Sequence, residues 1–81
     1  MNNKLFHLII TAIDAPLYNG EAFSVSLPGE EGSMTVLAHH QALITRLKEG
    51  TIVVKDASGE QSFPLEGGVV EIANNKVTVL L

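Results

Sequence analysis

The residues of this 81-residue chain that could do chemistry crowd into one stretch, Leu27 to Leu47. Glu30 and Glu31 follow a Pro-Gly turn there, and His39 and His40 stand side by side. Imidazole and carboxylate together form the donor set of zinc, iron or manganese sites. The spacing opposes convergence. Neighbours on a strand project to opposite faces, so His39 and His40 reach one ion only across a bulge, and a cupin-type jelly roll would separate its histidines by one residue. No metal is expected. Nucleophilic catalysis fares no better: Ser24, Ser26, Ser33, Ser58 and Ser62 are available, but none lies in a Gly-x-Ser-x-Gly elbow. Gly29-Glu30-Glu31-Gly32 is too short to cradle a phosphate. His7 reads as a satisfied histidine at a sheet face, and the Glu30-Glu31 pair as a solvated loop or part of a contact surface.

The elements that position these residues read as strands. Met1 to Ile13 carries an apolar run without a small-residue cleavage pattern, and from Lys4 to Thr11 both faces are mostly apolar, as in a strand covered on two sides. Pro16 breaks the run, and Tyr18-Asn19-Gly20 reads as a turn. Glu21 to Leu27 alternates, with Phe23, Val25 and Leu27 on one face. Glu30-Glu31-Gly32 then forms a loop tip before a strand over Ser33 to Leu37. Ala38 to Glu49 suits a helical stripe through Leu43, Ile44 and Leu47 or a strand through Leu43, Thr45 and Leu47; length and context favour the strand.

Thr51 to Lys55 and Gln61 to Leu65 form a hairpin across Asp56–Gly59, and Pro64, which cannot donate to a ladder, puts its strand at an edge or bulge. After the Gly67-Gly68 break, Val69–Ala73 pairs with Lys76–Leu81 across Asn74-Asn75, residues that tolerate left-handed backbone. Short strands with turn signals every 8–12 residues or so are the pattern of a sandwich or barrel. The expected fold is all-β, a two-sheet β-sandwich of nine to ten short strands in one domain over residues 1–81.

Composition narrows function further. The apolar share is 46% against 17% charged, with no Trp, one Tyr and three Phe, so the core must be aliphatic. A net charge of −4 with five Lys and Arg offers no basic patch for nucleic acid or anionic lipid. The lack of cysteine removes disulfides and thiolate sites. No stretch approaches the ~20 apolar residues of a transmembrane helix. Aliphatic residues on both faces of several strands exceed what one small sandwich covers, and exposed aliphatic patches mark protein interfaces. An interaction module therefore outranks an enzyme.

Leu27-Pro28-Gly29-Glu30-Glu31-Gly32, followed by Met34-Thr35-Val36-Leu37-Ala38 and His40, resembles the epsilon subunits of F-type ATP synthases. Pro16 to Ala22, Leu43 to Gly50, Gly67 to Ile72 and Asn75 to Val79 extend the likeness, in order, across nearly the whole chain. The resemblance implies an N-terminal β-sandwich that is a non-catalytic rotor piece. Such a piece is clamped to the gamma subunit and rests on the c-ring, at the cytoplasmic face of a bacterial inner membrane, and is membrane-associated only through the complex. It implies that Gly29, Glu30, Glu31, Gly32 and Ser33 face the c-ring, that Ala12, His40 and Thr45 fall near the gamma contact, and that no cofactor is held. A stand-alone β-sandwich adaptor derived from that family is the alternative.

Two departures stand out. His39 occupies the place of a family Gly, and Gln41-Ala42 that of an Ala-Pro, so a different bend is expected there. The sequence also stops at Leu81, where the family's usual helical hairpin would follow; that hairpin carries the ATP site and the inhibitory movement, so neither property is expected of these residues.

Overall fold

A computed structural model describes residues 4–81; the first three residues of the N-terminal run fall outside the described residues. Among the described residues there are nine strands and no helix: β1 (Phe6–Ala12), β2 (Ala15–Ala22), β3 (Ser24–Gly29), β4 (Gly32–Leu37), β5 (Leu43–Leu47), β6 (Gly50–Asp56), β7 (Gly59–Leu65), β8 (Gly68–Ala73) and β9 (Lys76–Leu80). The helical stripe through Leu43, Ile44 and Leu47 does not form; β5 is a strand, shorter than the segment that suggested it.

The strands form one curled sheet that folds on itself as a sandwich. Five strands, in the order β2-β1-β9-β8-β5, make one layer, and β4-β3-β6-β7 make the other. The layers join where Gly29 of β3 pairs with Leu47 of β5. Two backbone hydrogen bonds hold that seam, Lys48 N–H to the Pro28 carbonyl at 2.9 Å and Glu30 N–H to the Arg46 carbonyl at 3.0 Å. Every pairing is antiparallel except β1 with β9, which brings the two ends of the chain alongside each other.

Period-two alternation decides what lies between the layers. Phe6, Leu8 and Ile10 from β1, Val25 and Leu27 from β3, Ile52 and Val54 from β6, Val70 and Ile72 from β8, and Val77 and Val79 from β9 are all buried, and no polar side chain is buried with them among the described residues. The core is aliphatic, as the composition requires. On the other face of β1, Ile9 is half-buried rather than covered.

Two local expectations are corrected. Tyr18-Asn19-Gly20 is not a turn: it lies within β2, with Tyr18 opposite Ile10 and Gly20 opposite Leu8, and the chain reverses at Ile13-Asp14. Pairing along the length of β1 outweighs the local turn preference. Pro16 is tolerated because β2 is an edge strand, with the register shifting between Ile10 and Thr11. Glu21 to Leu27 is likewise not one strand. It bends at Phe23, where the chain passes from one layer to the other, so Val25 and Leu27 are buried while Phe23 is 40% exposed. Pro64 sits where its chemistry demands, on the edge strand β7.

The tight turns use left-handed backbone at Asn74 (φ 53°), Asn75 (φ 60°) and His39 (φ 63°). His39 thus adopts the backbone conformation that suits glycine, the residue the resemblance places there. Left-handed backbone costs a non-glycine residue roughly 1–2 kcal/mol, which His39→Gly relieves at some cost in unfolded-chain entropy. The variant should therefore gain about 0.5–1 kcal/mol, read as a higher urea midpoint with an unchanged slope.

Candidate protein-contact surface

Because nearly every connection is a reversal, the turns alternate between the two ends of the sandwich. One end carries Ile13-Asp14, Glu30-Glu31, Lys48-Glu49 and Glu66-Gly67; the other carries Phe23, Ala38 to Ala42, Ala57-Ser58 and Asn74-Asn75. The ends are separated by the five residues of β9, about 16 Å at the usual strand rise. Glu30 and Glu31 are therefore held away from His39 and His40, and the donor set that the sequence places in one stretch is split. Among the described residues no three His, Cys, Asp or Glu side chains come together as metal ligands.

Gly29 to Ser33 form a single hairpin tip. Gly29 is buried at the seam, and a Cβ there would lie 2.6 Å from the Gly32 carbonyl oxygen, while Gly32 itself has φ 139°. These glycines let the tip close tightly and present Glu30 and Glu31 to solvent, where both are exposed.

The other three singled-out residues are not brought together. Ala12 ends β1 at the carboxylate-bearing end and is half-buried. Thr45 lies mid-β5 opposite Val70, half-buried on the inward-facing row. His40 lies at the far end, its Nδ1–H donating to the Gln41 carbonyl at 2.7 Å. His7 stands on the outer face of β1 with Nδ1 3.1 Å from Glu21 Oε2, a solvent-screened contact worth little.

A surface the motif reading missed lies on the outside of the five-stranded layer. The register puts Ile9, Thr78, Glu71 and Ile44 in one row and Thr11, Leu80, Val69 and Arg46 in the next. Ile44 is 69% exposed, Leu80 52% and Val69 38%. Four aliphatic side chains thus share a face with one carboxylate, Glu71, and one guanidinium, Arg46. The aliphatic excess of β1 and β8 was the available signal; which strands lie side by side was not readable.

The free side of the sandwich is closed by Tyr18 of β2. Its hydroxyl donates to Asp56 Oδ2 at 2.6 Å, and its ring meets Phe63 edge-on at 6.2 Å. Burial first, then the hydrogen bond to Asp56, pushes the Tyr18 hydroxyl up to about 12. The same hydrogen bond is the largest influence holding Asp56 below the usual carboxylate range.

Tyr18 retains its proton more tightly when folded, so its contribution is full below the unfolded value near 10 and is lost as pH rises through about 12. Asp56 contributes above its unfolded value and loses that contribution as pH falls through its lowered folded one. Tyr18→Phe should lower the urea midpoint at pH 7, and the gap from the unaltered protein should close at both extremes.

The chain is thus a small β-sandwich with an aliphatic outer face and a turn-rich acidic end. The family model "ATP synthase, Delta/Epsilon chain, beta-sandwich domain" matches residues 5–81, and the chain belongs to that family. It is 50% identical over 66 residues to the ATP synthase epsilon chain of Sulfurimonas denitrificans, covering 80% of this chain and 51% of that protein. With the ATP synthase epsilon chain of Caulobacter vibrioides it shares 35% identity over 74 residues, 91% of this chain and 86% of that one. The chain spans about half the length of the first of these relatives. A chain of the Euglena gracilis mitochondrial ATP synthase shares the fold at a TM-score of 0.86 and 22% identity, covering 99% of this chain and 51% of that chain.

Proposed function

We propose that this chain acts as the epsilon-type rotor piece of a bacterial F-type ATP synthase. In this reading it is non-catalytic: it holds the gamma subunit and rests on the c-ring at the cytoplasmic face of the membrane, coupling rotation to proton transport and to ATP synthesis or hydrolysis. The carrying observation is the aliphatic face of Ile9, Ile44, Val69 and Leu80, set on a fold whose family is that of the ATP synthase delta and epsilon chains. That face is the surface we assign to gamma. Ala12, at the end of β1, and His40, in the loop leading into β5, lie at its margins, whereas Thr45 lies on the inner row of β5 and would meet gamma only from that side; the tip Gly29–Ser33 is assigned to the c-ring.

Burying an exposed isoleucine contributes about 1.5–3 kcal/mol, and a glutamate in its place must be desolvated instead. Ile44→Glu should therefore cut the gamma subunit recovered with tagged protein from native membranes at least tenfold, with the fold intact because position 44 faces outward. If the unaltered tagged protein recovers neither gamma nor c subunits, the chain is a stand-alone adaptor instead.

A further inference from the structure

The carboxylate-bearing end holds a feature that neither the tip nor the aliphatic face accounts for. Between the ends of β1 and β2 on one layer and the β6–β7 pair on the other lies an open groove of about 710 Å³. Leu17, Pro64 and Leu65 supply apolar wall, Ala12 borders it where it meets the margin of the face assigned to gamma, and Glu49 and Glu66 also line it. Leu17 is 41% exposed, so the groove displays apolar surface that nothing among the described residues covers.

Charge indicates what would cover it. Of nine acidic residues in the chain, five (Asp14, Glu30, Glu31, Glu49 and Glu66) lie in the turns of this one end, against a single cation in those turns, Lys48. They come from four separate connections that only the alternation of strand direction brings together. Seam hydrogen bonds from Glu30 to Arg46 and from Lys48 to Pro28 put the tip directly beside the β5–β6 turn that carries Glu49. Groove and tip are one continuous surface.

We infer that the groove is the second half of the ring contact: it receives an aliphatic side chain flanked by lysine or arginine, from the same membrane-ring loop that meets the tip. This inference rests on the rotor reading above. The aliphatic group replaces water against Leu17 and Leu65, and the cation meets Glu49 and Glu66, whose pairing supplies orientation more than affinity.

This sequence has no cysteine, so each variant carries a single thiol in it, labelled before the protein is returned to the enzyme. A photoreactive maleimide would be placed at Leu17→Cys in the groove, Ser33→Cys on the tip and Ser62→Cys on the outer face of β7, each in the intact enzyme in its membrane. The groove and tip labels should cross-link the same basic loop of the ring, and the Ser62 label should not. Adding Glu49→Lys with Glu66→Lys, both in exposed turns, should cut the groove cross-link at least fivefold and leave the tip's in place. If the tip labels the ring and the groove does not, or the groove labels a segment without Lys or Arg, or reversal leaves its yield unchanged, the groove assignment is wrong and the rotor reading survives. If neither labels the ring, both fall.

Discussion

Gly68→Ala should lower the unfolding free energy by about 3 kcal/mol, at the upper end of what overpacking usually costs. A methyl group at position 68 would be driven into the backbone carbonyl oxygen of Leu80 and would stand 3.1 Å from Leu81 Cδ2. The obstacle is backbone and cannot swing away. Gly68 is pinned from the other side as well, since it opens β8 and pairs with Leu47 on β5 while the next residue, Val69, pairs with Leu80. Retreat from β9 would press β8 against the strand that forms the seam between the layers. A domain of this size has about 5–15 kcal/mol in total, so the loss should be visible as a large fall in urea midpoint.

The neighbouring position supplies the control. At Gly67 a methyl group would meet only the Leu47 carbonyl, at the ordinary distance of 3.7 Å. Gly67→Ala should be neutral or stabilise by up to about 1 kcal/mol through the unfolded chain. Two adjacent glycines, read from the sequence as one break, should therefore respond in opposite directions; equal midpoints would mean that β8 has slack between β5 and β9.

Much of the fold was legible because alternation is written residue by residue. The edge position of β7 followed from Pro64, and the β8–β9 hairpin from Asn74-Asn75. The misread segment, Tyr18-Asn19-Gly20, failed for a physical reason: turn propensity is local, whereas β2 is held by pairing with β1 from Ala22 through Ala15. Phe23 misled for a related one, since alternation continues through a bend that changes layers. The expected change of bend at His39 resolves into a left-handed residue with φ 63°, the conformation a glycine would supply.

The candidate surfaces were legible only in part. Gly29 to Ser33 could be read as a tip because the Pro-Gly turn and paired carboxylates are contiguous. The placing of Asp14, Glu49 and Glu66 at the same end as that tip spans 53 residues of chain and is invisible to motif reading. One rule would have exposed most of it: successive hairpins reverse direction, so alternate turns share an end.

The residue whose importance the sequence most understated is Asn75, read only as a turn former. Its side-chain Oδ1 accepts the His39 N–H at 2.7 Å, its Nδ2 donates to the Leu5 carbonyl at 3.0 Å, and its own carbonyl accepts the His7 N–H at 3.2 Å. One residue thus ties the β8–β9 turn to the start of β1 and to the loop carrying His40. Asn75→Ala removes two hydrogen bonds of about 1 kcal/mol each and forces alanine into left-handed backbone for about 1 more, an expected loss of about 3 kcal/mol. Asn75→Gly restores the backbone freedom but not the bonds, so it should lose about 2. Asn74→Ala, at φ 53° with no side-chain hydrogen bond among the described residues, should lose only the backbone share, about 1. Chemical denaturation of the three variants separates conformation from cross-linking, and equal losses for Asn74→Ala and Asn75→Ala would mean that the cross-links contribute nothing. If the expected order holds, Asn75→Gly should also increase amide exchange from Ala38 to Ala42, because the anchor at His39 is what holds His40 against the end of the sandwich.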